Sequence, residues 1–319
     1  MNKLILTDTI KSQPYILQDH LSLCIDFLLS RVDGIISIVL TGGYGRSEGT
    51  WIKNKESYQP YNDYDFVVIL DDSQKRKNSN SLQLDTSELA SSLGINWVDI
   101  DILYTKDLKN LKCTIKNFDT LYGSTIIYGD AKILEIAPKL SVSKISTKDF
   151  YTYFYTRAYT VLCCLPKDKK LSDLNNNEMQ FFRNQIAKGL LAIMDCILIS
   201  RYKFYCSSYI ERTKYYSNIS ENSEKIALFE WALKEKIDPC NNFFDINFGH
   251  KTHKDLFKLY QTDMNKFLGE YFYGANLTLY NFRLFELTRL TQSIKFLMIQ
   301  ILRKLILQFG HNLNTKSFL

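Results

Sequence analysis

The sequence predicts an α+β protein in which a sheet-bearing domain, residues 1–135, precedes an all-helical domain, residues 136–319. Two observations carry this. Short, β-branched, almost wholly apolar runs are confined to the first part, and from Asp149 onward apolar residues instead recur at three-and-four spacing over long stretches. A chain of 319 residues has room for two domains of ordinary size.

The elements follow in order. His20–Arg31 places Leu21, Cys24, Ile25, Leu28 and Leu29 on one helical stripe, and Gly34 ends it. Ile35–Leu40 reads as a buried strand, after which Gly42, Gly43 and Gly45 demand a sharp turn. Gly49–Asn62 is mostly polar and reads as an inserted loop, followed by a second buried strand, Phe66–Leu70. Asp71–Ser81 is a solvated loop, Thr86–Leu93 a short helix, and Trp97–Leu103 a third strand. Lys106–Leu111 is helical, and a brief final strand falls within Gly123–Asp130. Helices are then expected over Phe150–Leu165, Glu178–Tyr205, Ser223–Lys234, His253–Phe267 and Tyr280–Phe309, with Pro166–Asn177 as a loop. The apolar stripe of the last helix suits internal packing or, less usually, a homodimer surface.

Composition narrows the function classes. Hydrophobic residues make up 45% and charged residues 23%, which excludes a disordered tail, a collagen repeat or a coiled-coil rod. Net charge is +6, too small at this size to mark a nucleic-acid binder. The charge is unevenly placed: residues 1–130 sum to −4 and residues 131–319 to +10. Seven cysteines without a C-x-x-C spacing suggest neither a disulfide framework nor a zinc knuckle, so a reducing, cytoplasmic setting is expected. Neither a signal peptide nor a membrane span is expected, because Gly189–Ser200 is short and broken by Asp195.

The chemistry is carried by aspartates. Asp63 and Asp65 stand two apart at the mouth of an apolar strand, so both carboxylates face one side. In the next strand Val98, Ile100 and Ile102 point one way, and Asp99 and Asp101 the other. Carboxylates gathered together raise one another's pKa and lose hydration, a cost that a cation removes. Mg²⁺, a hard ion that pairs carboxylates with phosphate oxygens, suits such a set. The plainer alternative is a solvated or aggregation-guarding sheet face.

The glycine turn weighs against that alternative. In Thr41–Gly49 (TGGYGRSEG) the glycines leave amide groups free to meet phosphate oxygens, with Arg46 and Ser47 as further expected phosphate contacts. The stretch lacks the G-K-[ST] ending of a P-loop and the G-x-G-x-x-G spacing of a dinucleotide fold. There is no H-E-x-x-H.

Taken together, GGYGRSEG, NDYDFVVI and VDIDIL resemble the polymerase-beta-type nucleotidyltransferase superfamily, over roughly residues 20–130. The resemblance implies a small mixed sheet with helices, a turn at Gly42 and Gly43 that binds a triphosphate, and three carboxylates holding Mg²⁺. Asp63 and Asp65 match the metal-binding pair. Either Asp99 or Asp101 matches the third acid, which in that family helps deprotonate the acceptor hydroxyl. Asp101 is preferred for its spacing to Leu108. Arg46 and Glu48 match a G-x-G-R-G-E-G-like variant with Ser47 in place of a glycine. Nineteen residues separate Gly43 from Asp63, more than in common members, so Gly49–Asn62 is expected as a loop over the site.

The helical half is similar in layout to the acceptor-side bundle of kanamycin-type and minimal transferases. Tyr205, Glu211, Arg212, Lys214, Tyr215 and Tyr216 form a cluster suited to lining that cleft or to ordinary packing. The resemblance implies Mg²⁺-dependent transfer of a nucleoside monophosphate, most simply AMP from ATP or another NTP, to a hydroxyl or phosphate acceptor. A small molecule, a protein and an RNA end all remain open as acceptor. A non-catalytic nucleotide-binding or toxin-antitoxin-type module is the rival outside the enzymes.

Overall fold

Six residues of mostly β-branched chain, apolar except for Ser37, make β1 (Ile35–Leu40) a central strand, and its neighbours confirm the position. In the computed structural model the described residues are 4–54, 57–61, 63–73, 85–145, 169–242 and 244–259, with isolated positions between 149 and 165. They form a mixed four-stranded sheet followed by a helical bundle. The strand order is β5–β4–β1–β6, with β4 (Tyr64–Leu70), β5 (Val98–Tyr104) and β6 (Thr125–Gly129). The β4–β5 pair is parallel, with Asp65 opposite Asp99, and the other pairs are antiparallel.

Strand alternation sorts the side chains. The even-numbered residues Tyr64, Phe66, Val68 and Leu70, with Val98, face a core built with Leu17, Leu21, Cys24, Ile25 and Leu28 of the helix Ile16–Arg31. The odd-numbered Val67 and Ile69 face a second core with Leu108, Leu111 and Ile133. Asp63, Asp65, Asp99 and Asp101 therefore share the face of that second core, beyond its apolar part.

Three elements depart from the expectations. Gly49–Asn62 is an ordered hairpin, β2 (Trp51–Asn54) and β3 (Ser57–Pro60), as well as a connection. Ile115–Tyr122 and Tyr209–Ile219 are helices that the spacing did not reveal. Both are short, and both are capped by a side chain just outside them, Thr114 on Asn117 N and Ser208 on Glu211 N. The longest described helix, Asn176–Tyr202, starts at a reciprocal Asn175–Glu178 capping box and stops where Lys203 turns left-handed.

Of the helix expected over Phe150–Leu165, residues 153, 156, 157, 160 and 161 are helical. Its other positions, apart from 164 and 165, lie outside the described residues, as do most of the Asp71–Ser81 loop, the end of His253–Phe267 and all of Tyr280–Phe309. The described part of His253–Phe267 belongs to a helix that begins earlier, Ile246–Leu259. The described residues all fall in one compact unit, Met1–Asp263. The described cysteines are free thiols, and among the described residues no helix is long and apolar enough to cross a membrane.

Candidate metal centre and its cleft

The site begins where β1 ends beside the start of β4. Thr41 clamps the two, its N–H and its hydroxyl both donating to the Asp65 carbonyl at 2.8 and 3.2 Å. Gly42 follows with φ +65°, a left-handed conformation, and a Cβ there would stand 2.1 Å from Asp65 Oδ2. Glycine is required twice over at this position, by backbone conformation and by the carboxylate against it. Gly43 lines the same cavity.

Parallel pairing brings Asp99 next to Asp65, and Asp63 precedes β4 on the same face. One carboxylate oxygen from each of Asp63, Asp65 and Asp99 lies within 4.8 Å of the other two, a cluster able to coordinate a metal ion. Burial, then Asp63 and Asp99, push the Asp65 pKa up from 3.8 to about 6. Asp99 is raised by the same kind of burden, partial burial first and then Asp63 and Asp101. All the donors are hard oxygens and their charge is incompletely balanced, which fits Mg²⁺.

Asp101, the preferred third acid, also lines the cavity but is not in the cluster. Its Oδ2 pairs with Lys116 Nζ at 2.6 Å. One register step separates the candidates, and the pairing of β4 with β5 brings Asp99 to the pair.

Of the two phosphate contacts expected from the turn, Arg46 lines the cavity and Ser47 does not. Arg46 lines the cavity, but its Nε donates to Glu48 Oε2 at 3.2 Å and its guanidinium lies over the Tyr209 ring. Ser47 is exposed and turned elsewhere, its hydroxyl donating to the Thr9 carbonyl at 3.0 Å and lying 3.2 Å from Ser12 Oγ. At φ 60° it occupies a backbone region that favours glycine, the residue the related pattern carries there.

Glu48 links the sheet to the bundle. It is 1% exposed and accepts from Ser208 Oγ at 2.7 Å and from the Tyr209 and Ile210 N–H groups at 3.0 Å each. The first turn of Tyr209–Ile219 is thus capped by a carboxylate 160 residues away in sequence. Behind it, buried Arg212 pairs with Asp195 at 3.1 Å and lies over the Tyr205 and Tyr209 rings. Tyr205 donates to both oxygens of Asp119.

The cavity enclosed by these groups measures about 530 Å³. Beside the glycine turn and the acids it is lined by Asp119, Tyr153, Arg157, Lys188, Tyr205, Tyr209 and Lys236. Of the cluster read from the sequence, only Tyr205 reaches it. Arg212 supports the wall from behind, Tyr215 stacks on Phe204, Tyr216 is buried on Phe229, and Glu211 and Lys214 face outward. Lys188 and Lys236 escaped the sequence reading. Lys188 had a signal, a charge inside a strongly apolar helix; Lys236 lies near a helix end where lysine is ordinary. The Gly49–Asn62 stretch does not roof the cavity: beyond Gly49, none of its described residues lines it. Instead Thr50 bonds Lys236 and Trp51 sits edge-on to Tyr44.

No family model matches this sequence, and no curated protein matches it. Fold and site define the class: a small mixed sheet bearing a clustered aspartate triad, consistent with a nucleotidyltransferase-like fold.

Proposed function

We propose that the protein is a metal-dependent nucleotidyltransferase moving a nucleoside monophosphate, most simply AMP from ATP, to a hydroxyl or phosphate acceptor with release of pyrophosphate. The observation that carries this reading is the convergence of Asp63, Asp65 and Asp99, with Asp65 directly against Gly42. In this reading residues 1–135 bind the nucleotide and residues 136–319 shape the acceptor side.

Asp63, Asp65 and Asp99 would hold Mg²⁺, which when bound supplies charge neutralisation for the triphosphate and the departing pyrophosphate. The chain's own residues do the rest. The turn at Gly42 and Gly43 lets a phosphate approach the backbone where a Cβ would block it. The acceptor oxygen forms a bond to the α-phosphorus as the bond from that phosphorus to the pyrophosphate oxygen breaks. Where the acceptor is a hydroxyl, its proton passes to a neighbouring carboxylate, for which Asp99 and Asp101 are placed on the edge strand.

The test is pyrophosphate release from each NTP with Mg²⁺ and lysate fractions separated into proteins, RNA and metabolites. Release that needs the metal and is lost in Asp63→Asn and Asp65→Asn supports the reading. Nucleotide binding without turnover across all fractions replaces it with the non-catalytic module.

A further inference from the structure

The glycine turn does not hold its own shape. Gly42–Gly45 is a single helical turn of four residues, three of them glycine, and one isolated turn of helix is unfavourable by itself. It is gripped instead by two side chains from distant parts of the sequence, neither of which lines the cavity. Gln13 Nε2, from the segment before the helix Ile16–Arg31, donates to the Tyr44 carbonyl at 3.0 Å. Thr125 Oγ1, at the start of β6, donates to the Gly45 carbonyl at 2.8 Å. Both bonds are buried.

The Gln13 amide is kept at a cost. Its Nε2 also donates to the Thr9 carbonyl at 3.0 Å, but its buried Oε1 has no partner among the described residues. Stability alone does not call for glutamine here: the Tyr44 carbonyl also accepts from the Ser47 N–H, and the Thr9 carbonyl from the Ser12 and Ser47 hydroxyls. The cavity side of the turn is open by contrast. Gly42 and Gly43 line the cavity, and among the described residues their N–H groups have no hydrogen-bond partner. Free amide groups hold an anion well when their direction is set beforehand, because a loose turn must first be ordered by the ligand.

We propose that Gln13 and Thr125 are positioning residues for the nucleotide's phosphates: by pinning the Tyr44 and Gly45 carbonyls behind the turn, they keep the Gly42 and Gly43 N–H groups directed into the cavity. The proposal rests on the nucleotidyltransferase reading for the identity of the ligand, but its own test needs no turnover. Neither residue touches the ligand, and each acts through the backbone it holds.

The probe is inorganic tripolyphosphate, titrated calorimetrically into the full chain with Mg²⁺ present. Gln13→Met and Thr125→Val should each weaken binding by about tenfold while Mn²⁺ affinity at the aspartates stays within about twofold of native. Thr125→Ser keeps the hydroxyl and should bind as the native protein does. Tripolyphosphate affinity within about twofold of native in Gln13→Met/Thr125→Val overturns the proposal, and so does a parallel fall in Mn²⁺ affinity, which marks a merely structural role. A second measurement avoids substitution altogether. The Arg46 and Glu48 N–H groups donate to the Gly43 carbonyl at 3.2 and 2.8 Å, and in the ligand-free native protein they should exchange hydrogen as slowly as those of β1. Exchange at the rate of an open loop overturns the proposal even where the variants fail to fold. Mn²⁺ binding and NTP turnover report separately on the aspartate site. If both are present while these effects are absent, the positioning role alone is wrong. If the native protein binds neither Mn²⁺ nor tripolyphosphate, both readings fall.

Discussion

Gly42 and Asp65 touch so closely that a single methyl group on Gly42 would come within 2.1 Å of Asp65 Oδ2. The turn and the strand that carries Asp65 are therefore one unit, tied again by the two bonds from Thr41 to the Asp65 carbonyl. Gly42→Ala is expected to displace the Asp65 carboxylate and to strain a backbone at φ +65°. Mn²⁺ affinity, followed by electron paramagnetic resonance, should fall by about tenfold or more, with stability lower by roughly 1–3 kcal/mol. Native-like Mn²⁺ binding in this variant would show that Asp65 is not a ligand.

Asp99 and Asp101 should separate cleanly. Asp99→Asn removes a member of the cluster and should weaken Mn²⁺ binding by on the order of 10–100-fold. Asp101→Asn breaks only an exposed pair with Lys116, and metal affinity should change about threefold or less. The reverse ranking would make Asp101 the third acid.

The aspartate cluster should cost stability at neutral pH. Asp65 titrates near 3.8 when unfolded and at about 6 when folded, so between these values the folded chain holds more protons than the unfolded one. Stability therefore falls as pH rises through that window, and the full penalty is present above about pH 6. Asp65→Asn should raise the melting temperature at pH 7.5 by a few degrees, corresponding to about 1–3 kcal/mol, and shorten the pH-dependent fall. Part of the fall should remain, because Asp195 titrates at about 6 from burial as well. Mg²⁺ should raise the melting temperature of the native protein more than that of the variant.

Glu48 is expected to be a stability residue. Glu48→Ala strips the cap from Tyr209–Ile219 and leaves Arg46 without its carboxylate, a change of about 3–5 kcal/mol in urea unfolding. An effect under about 1 kcal/mol would show that the sheet and bundle do not depend on this contact.

Ser47→Gly should leave nucleotide turnover within about twofold of native, since the hydroxyl faces Thr9 and Ser12 and the backbone is already left-handed. A large loss of turnover would restore Ser47 as a phosphate contact.

Much of the sheet was legible because strand period and apolar runs are local properties. Ile35–Leu40, Phe66–Leu70 and Asp99 opposite in facing to Ile100 could be read from two-residue alternation alone, and the need for glycine at 42 from its place after a buried strand. The short helices Ile115–Tyr122 and Tyr209–Ile219 went unread, because the apolar Ile115, Phe118, Leu121 and Tyr122 of the first span only two turns and the second owes its capped first turn to Glu48, far away in sequence.

By itself the amino-acid order determined which segments extend, which coil, and that four aspartates share one face, since these depend on neighbours two to four residues apart. Only the tertiary structure decided which of Asp99 and Asp101 joins the pair, because that follows from the register of two strands some thirty residues apart. It also decided that Lys188 and Lys236 meet the carboxylates in one cavity, which Arg46 lines while paired with Glu48, and that Ser47 bonds to Thr9 instead. Electrostatic partnership is a matter of distance in space, and that distance is set by how the sheet and the helices close on one another.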